Sequence, residues 1–409
     1  MEASVDVVVV GAGLAGLTAA VEAARAGSSV RLVEAHQPGG RAQSDERRGF
    51  TFNRGPHALY EGGAARAALV PLGVPLAGSR APLAGARALR HGSLFTLPTT
   101  PRTVMTSDLL PVRSRLAFAK VMTSLPRTAT PDLVDLSARG WTEQVTGRED
   151  VIEVLQAFIR LSTYASDLDG LSADAAVAQL RLSTGGVTYL DGGWQSLVDG
   201  LVKVAHEAGV EVSQGGPVTG LEVDATRVRV SVGEGTVIAR SVIMAPGGPD
   251  DVERLLPGAV LGDLGEKVNA TCVDYGLTAP APVSFILGID EPVYLSQHAP
   301  RADLAPPGCA VMCAMRYGSD GLKAADGLDS MLALAGVDSD SVLERRVLAS
   351  MTVAHAMPRP GRGLAGRPGI RVPGMPRCFL AGDWVGGVGL LADAAVASGV
   401  AAGREASRR

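Results

Sequence analysis

The sequence predicts an α/β fold: a Rossmann-type layer assembled from discontinuous segments, joined to an α+β second domain. Three observations predict it. The chain opens on the apolar run Val7-Val8-Val9-Val10 and passes at once into GAGLAGLTAA. It closes on a strand-like run, RCFLAGD, followed by a helical one, LLADAAVASGVAAG. Between them lie a helical stretch, about 113–182, and a stretch of alternating apolar and polar residues, 267–317. A chain that starts on a βα unit and ends on strand, loop and helix is expected to bring its ends together while the middle forms something else.

The opening is the most informative element. Gly11, Gly13 and Gly16 fit G-x-G-x-x-G directly after an apolar strand and directly before a helical run. In that setting the first glycine permits a tight turn and the second lets the backbone approach a diphosphate. The third lets helix and strand pack closely. Leu14 and Ala15 stand at the start of the helix, where phosphates sit. LTAAVEAARAG reads as that helix, closed by Gly27, and SSVRLVEA as a second strand with Glu34 and Ala35 near its end. An acidic residue about 20 positions downstream is what the ribose hydroxyls of an adenosine require. The unit predicted is a βαβ that binds a dinucleotide.

The chain carries its own control. Residues 361–366, GRGLAG, match the same pattern, but they follow MPRP and precede RPG, so they predict a loop. Gly363→Ala is accordingly expected to leave nucleotide binding untouched. Residues 5–24 come close to the 20 or so apolar residues of a membrane span. Three glycines, Asp6 and Glu22 interrupt them, and the leader MEASVD is acidic where a secretory signal is basic.

Bulk properties narrow the class. A chain of 409 residues is long enough for two domains. A net charge of −4 without a long basic run gives no case for nucleic acid, and 4% aromatic residues argue against a base-stacking surface. Cys272, Cys309, Cys313 and Cys378 form no C-x-x-C and have no histidine cluster beside them, so no metal site is expected. Free thiols and the lack of an export signal point to the cytoplasm. The wealth of Ala, Gly, Val, Leu and Arg fits a high-GC bacterial coding bias.

Along the chain, 72–107 reads as loops with short strands. Helical patterns follow in RSRLAFAKVMTSL, WTEQVTG, EDVIEVLQAFIRLSTYAS and ADAAVAQLRL. A glycine pair at 192 precedes WQSLVDGLVKVAHEAG, where Leu197, Leu201 and Val204 make one apolar face. Short β-like runs come next: VEVSQ, PVTGLEVDA, RVRVSV and VIARSVIMAPGG.

Five blocks, in order, are VVVVGAGLAGL…VRLVEA, PGGRAQS, FNRGPHAL, GGWQSLVDGL…PVTGLEV and FLAGDWVGG…LLADAAVASG. In these the chain resembles the flavin-containing amine oxidase and phytoene desaturase superfamily of FAD enzymes. The resemblance covers most of the nucleotide-binding segments and leaves 80–190 and 255–355 with few diagnostic residues. It implies a Rossmann-type FAD-binding domain from residues 1–80, 191–255 and 356–409. A substrate domain would come from 81–190, mainly helical, and 256–355, mainly strands.

The resemblance also implies roles. Glu34 would bind the adenosine ribose, and Gly39-Gly40 would bring the chain close. Arg41 would lie beside the diphosphate, where a guanidinium pairs with phosphate oxygens. Val218 would meet the adenine edge through its backbone, although an ordinary strand valine looks the same in sequence. Asp383, after Gly382 in AGDW, would accept from a ribityl hydroxyl; the next helix begins near Leu390, too far for Asp383 to be its cap. That helix, from about Leu391, would point its N-terminus at the flavin, where the reduced ring carries negative charge. Gly55, Pro56 and His57 would line the ring. His57 is either a base that takes a substrate proton as hydride leaves or a residue that packs against the ring. His298 and His355 sit in segments with weaker claims on the cavity.

The chain departs from the monoamine oxidases, which frame the flavin with paired aromatic side chains. Here WVGGVGLL places Gly386, Gly387 and Gly389 in the comparable stretch, and no cysteine is placed for a covalent link. The FAD is therefore expected to be noncovalent. RSRLAFAKVMTSLPR, with Arg113, Arg115, Lys120 and Arg127, reads as a surface helix in preference to a membrane contact of the kind seen in carotenoid desaturases. The expected activity is FAD-dependent dehydrogenation of a small to medium, largely apolar molecule, with dioxygen or another acceptor taking the electrons. Alternatives are an amine oxidase releasing peroxide, a flavin-dependent isomerase, and a non-catalytic flavin-binding protein.

Overall fold

The computed structural model describes residues 3–82, 84–224, 226–318 and 321–408, Ala3 by its backbone only. Its first sheet has seven strands. Ala3–Val10 lies at the centre, parallel to Val30–Glu34 on one side and to Gly235–Met244 on the other. Glu211–Gln214 extends the parallel set beyond Val30–Glu34. On the other flank Val228–Val232 and Val218–Val223 add two antiparallel strands. The last three residues of Gly235–Met244 pair in parallel with Cys378–Leu380, which brings the chain's end back beside its beginning. Val7 to Val10 are at most 4% exposed, as expected of a parallel strand covered on both faces.

Two helices cover the central strands on one side. Leu14–Arg25 follows the first strand directly, and Leu391–Ala406 lies against it near the chain's end. A Cβ at Gly399 would stand 2.4 Å from the Ala15 carbonyl oxygen, and one at Gly403 equally close to that of Ala19. The backbones therefore touch, and the order of these contacts makes the two helices parallel.

The second sheet also has seven strands, in the order Val342–Ala354, Val268–Leu277, Ala310–Tyr317, Val293–Ala299, Phe285–Gly288, Arg87–Arg90 and Ser93–Thr96. Its alternation is physical. Ala270, Cys272, Cys313 and Met315 face the helical region, where they join Val151, Val154, Leu155 and Ile159 of the helix Glu149–Thr163. Val273, Tyr275, Met312 and Ala314 face the other way. There they meet a helix, Leu322–Leu334, within the span 256–355 that was expected to be mainly strands. It buries Ala324, Ala325, Leu328, Met331 and Leu332, a helical face built partly from alanine, which gives little hydrophobic contrast in sequence.

A buried arginine ties the second sheet to a separate two-stranded hairpin. Arg346 donates to Asp274, its partner across the strand ladder, at 2.5 Å and to Asp45 at 2.7 Å. It also donates to the carbonyls of Phe52 and Asn53. It thereby clamps the hairpin Ser44–Arg47 and Phe50–Asn53, from which the chain runs into Gly55-Pro56-His57. Beside this clamp Cys272 and Cys313 lie with their sulfurs 3.2 Å apart. Burial pushes the Cys313 thiol well up, and Asp274 of the same group is committed to Arg346. Among the described residues no helix is long and apolar enough to cross a membrane.

Candidate flavin site

The site lies at the carboxyl edge of the first sheet. Gly11 leaves the first strand with φ of 97°, and its N–H donates to the Val33 carbonyl at 2.8 Å. A Cβ on Gly16 would fall 1.9 Å from the Gly11 carbonyl oxygen, so this close helix–strand approach requires glycine. A Cβ on Gly13 would meet nothing within 4 Å, which makes its backbone the open face of the turn. Leu14 and Ala15 begin the helix behind it, and no side chain caps that helix.

Glu34 ends the neighbouring strand, just before Ala35. Its carboxylate accepts the Ala12 N–H at 2.6 Å and the His36 N–H at 2.9 Å. Each oxygen keeps a lone-pair direction for a hydroxyl donor. Gly39 pairs with Gly13 across the turn, and Gly40 opens a single helical turn that carries Arg41. Val218 starts the outermost antiparallel strand; the connection leading to it passes Gly215, whose N–H bonds the Glu34 carbonyl at 3.0 Å.

Arg41 and Asp383, far apart in sequence, form an ion pair with contacts of 2.6 and 3.2 Å. Arg41 also donates to the Val353 carbonyl at 2.7 Å. Three of its five N–H groups are then used, and Nε and one Nη2 hydrogen remain to meet a phosphate. Asp383 is 3% exposed. Burial alone would raise its carboxyl, but the Arg41 guanidinium and the His355 hydrogen bond outweigh it. They hold Asp383 well below the usual carboxylate range. Gly382 precedes it, with its N–H on the Ser398 hydroxyl of the C-terminal helix at 3.0 Å.

That helix starts at Leu391 with a left-handed φ of 56°, a strained conformation for leucine. No side chain caps it. Gly399 lies beside Ala15, so its N-terminus stands about 10 Å ahead of the first helix along the shared direction, at 1.5 Å per residue. Two uncapped positive helix ends therefore face one edge in series. Asp393, in the first turn, is 3% exposed. Its Oδ1 accepts the Ala65 N–H at 2.7 Å, and its Oδ2 has no partner among the described residues. Burial pushes this carboxyl up to about 6, against the pull of Ala65.

Gly55, Pro56 and His57 lie in the loop that leaves the hairpin strand Phe50–Asn53. His57 Nδ1 bonds the Gly55 carbonyl at 2.9 Å, and its ring packs 4.6 Å from that of Trp194. Burial lowers His57 to about 4; the Gly55 bond opposes this, and Arg41 and Arg346 add to it. The imidazole is thus neutral at pH 7. His298 lies deeper, stacked on Tyr189 at 4.1 Å and pushed by burial to about 3.

The largest feature that sequence reading missed is a group of tyrosines. Tyr164 caps the helix Glu149–Thr163 in a left-handed conformation, φ 62°, and its hydroxyl donates to the Pro56 carbonyl at 3.0 Å. Its ring lies 6.3 Å from both Tyr294 and Tyr317, which stack at 5.8 Å. The three come from different elements with no common motif, so only the fold assembles them. Half-buried Met351, Val353, Leu364 and Leu391 pack against the same core.

The loop matching the glycine pattern at 361–366 is a loop with one short turn, as expected. Gly363 is not a silent position, however. Its φ is 56°, and a Cβ would lie 2.4 Å from Asp174 Oδ2, which accepts the Leu364 N–H. Gly363→Ala would strain this loop whatever its effect on nucleotide.

The residues at this edge fit an extended flavin dinucleotide: an open glycine turn, two uncapped helix ends in series, an acidic ribose acceptor and spare guanidinium donors. Cys378 is fully buried within its strand. A Rossmann-type layer joined to a largely antiparallel sheet, with such an edge, is the architecture of flavin-dependent oxidoreductases. The chain belongs to the flavin-containing amine oxidoreductase family, whose model matches residues 14–264. Among solved structures it is similar to an oxidoreductase from Methanosarcina mazei, with a TM-score of 0.75 and 18% identity over 97% of this chain and 99% of that one. It is also similar to putrescine oxidase bound to putrescine, TM-score 0.73 and 16% identity over 98% of each chain. Cyclohexylamine oxidase from Brevibacterium oxydans IH-35A aligns at 0.69, with 17% identity over 98% of each. At these identities the likeness is one of fold. A comparison with curated proteins finds no match.

Proposed function

We propose that the protein binds FAD noncovalently and dehydrogenates a small to medium-sized, largely apolar organic substrate. The observation that carries the cofactor reading is the pair of uncapped helix N-termini in series at one sheet edge, with Arg41 and Asp383 beside them. Gly11, Gly13, Gly16, Leu14 and Ala15 would take the diphosphate, Glu34 and Ala35 the adenosine ribose, and Val218 the adenine. Gly40 and Arg41 would close over the phosphates, and Gly382 and Asp383 would hold the ribityl chain. Gly55, Pro56, His57 and Leu391 would flank the ring. Held by these residues, FAD would supply the acceptor for the hydride of a substrate C–H bond; the proton lost with it, as a C=C or C=N bond forms, would pass to His57, and dioxygen or another acceptor would take the electrons.

The substrate reading rests on what surrounds the tyrosines. Tyr164, Tyr294 and Tyr317 pack ring against ring and belong to one apolar core with Met351, Val353, Leu364 and Leu391. All three hydroxyls are held far above neutral pH, first by burial, and so are uncharged donors. A largely apolar, uncharged molecule would lose little by leaving water for such a lining. His57, neutral with Nδ1 held by Gly55, would present Nε2 as an acceptor for a substrate proton.

Oxidation of a C–N bond is the second reading. The stacked tyrosine faces favour it, because such faces attract a cation. Anaerobic mixing of the FAD-loaded protein with a panel of amines and of uncharged apolar compounds tests both. Flavin bleaching by uncharged compounds supports the first reading, and bleaching by amines alone replaces it with the second. FAD that stays oxidised with every compound removes the proposed chemistry.

A further inference from the structure

We infer that His355 is a positioning residue for the cofactor, acting through Asp383. The inference rests on the proposed contact between Asp383 and the ribityl chain. Four contacts hold the Asp383 carboxylate. Two come from Arg41, and two from His355: its backbone N–H reaches Oδ2 at 2.9 Å and its ring Nδ1 meets Oδ1 at 3.0 Å. A carboxylate offers about four lone-pair directions, so these donors fix its tilt as well as its place; the longest of them, the 3.2 Å Arg41 contact, is the one whose direction a ribityl hydroxyl would share. With Nδ1–H donating to Asp383, the histidine tautomer is set as well.

His355 has a distinct structural origin. It follows the strand Val342–Ala354, which forms the outer edge of the second sheet, and it crosses from there to the nucleotide edge. Arg41 is held at the same strand end through the Val353 carbonyl. Gly248, in the turn after Gly235–Met244, leaves room for the imidazole: a Cβ there would lie 2.7 Å from His355 Cδ2. The ring is thus seated between a turn of one sheet and a carboxylate at the edge of the same sheet, on a backbone that belongs to the other. The substrate-side sheet thereby sets the orientation of a buried acceptor on the cofactor side.

The test is a double-mutant cycle read by FAD affinity. The full-length chain, stripped of flavin, is titrated with FAD as wild type, His355→Ala, His355→Asn, Asp383→Ala and the double variant His355→Ala with Asp383→Ala. The melting temperature of each flavin-free protein is measured alongside. His355→Ala is expected to weaken FAD binding about tenfold, the scale of one hydrogen bond to a charged group. Asparagine carries an N–H at the position of Nδ1, and His355→Asn should recover most of that loss. In the Asp383→Ala background, removing the histidine should cost nothing further. Equal losses in both backgrounds would mean that His355 does not act through Asp383 and would overturn the inference. So would a lower melting temperature with unchanged affinity, which marks a purely structural role. If Asp383→Ala weakens FAD but His355→Ala does not, the inference fails and the cofactor assignment stands. If Asp383→Ala binds FAD like the wild type, the assignment itself fails.

Discussion

Asp393→Asn should make the protein's stability less dependent on pH, with a sign that the structure fixes. The Asp393 carboxyl is 3% exposed, has one oxygen without a partner among the described residues, and is raised from 3.8 to about 6. Its folded-state value lies above its unfolded one, so the folded protein binds the extra proton between these values. Stability from this group is present below pH 4 and is lost as pH rises through 6. By pH 8 the full difference is felt, about 3 kcal/mol at 1.36 kcal/mol per unit. The positive ends of two helices, Ala64–Leu72 and Leu391–Ala406, lie beside the carboxylate and favour its charged form, which trims the effect toward about 1–2 kcal/mol. Asparagine keeps an oxygen for the Ala65 N–H and does not titrate. Any cost of burying its amide group is independent of pH, so the slope of the difference is what reports. Urea denaturation of both proteins from pH 4.5 to 8 measures it. The variant should gain on the wild type steadily between pH 4.5 and 7 and then level off. A difference that stays flat, or one that grows in favour of the wild type, would refute the argument that a buried carboxyl is ionised there at a cost.

Three further outcomes are expected. Gly16→Ala should lower stability by about 1–3 kcal/mol as the first helix is pushed off the strand, with weaker FAD binding; Gly369→Ala, whose Cβ meets nothing within 4 Å, is the silent control. An unchanged melting temperature for Gly16→Ala would contradict the close approach. His57→Ala should leave FAD bound and slow flavin reduction roughly 10²-fold if the ring is a base. Because His57 sits near pKa 4, the wild-type rate should show no inflection from it between pH 5.5 and 8; an unaltered rate in the variant would leave His57 as a packing residue. Acid should release intact FAD from the protein, since no cysteine is placed to tether it, and colour that stays with the precipitate would disprove the noncovalent reading.

The sequence by itself determined the Rossmann-type edge. A tight strand-to-helix turn is built from consecutive residues under strict steric rules, so Gly11, Gly13 and Gly16 carry it in their spacing, and the acidic strand end at Glu34 follows within the same short unit. The decoy at 361–366 was legible as a loop for the same reason, through its neighbours. The helix at 322–334 was not, because an alanine-rich face has too little contrast with its polar side. Tertiary structure alone decided that Arg41 and His355 share the Asp383 carboxylate, that Tyr164 packs edge-on against the stacked pair Tyr294 and Tyr317, that Gly363 is pinned by Asp174, and that Asp393 is buried with an oxygen unpaired among the described residues. These depend on which strands and helices become neighbours, and on the loss of water around them. Close approach and desolvation belong to the folded chain, and no local pattern of residues encodes either.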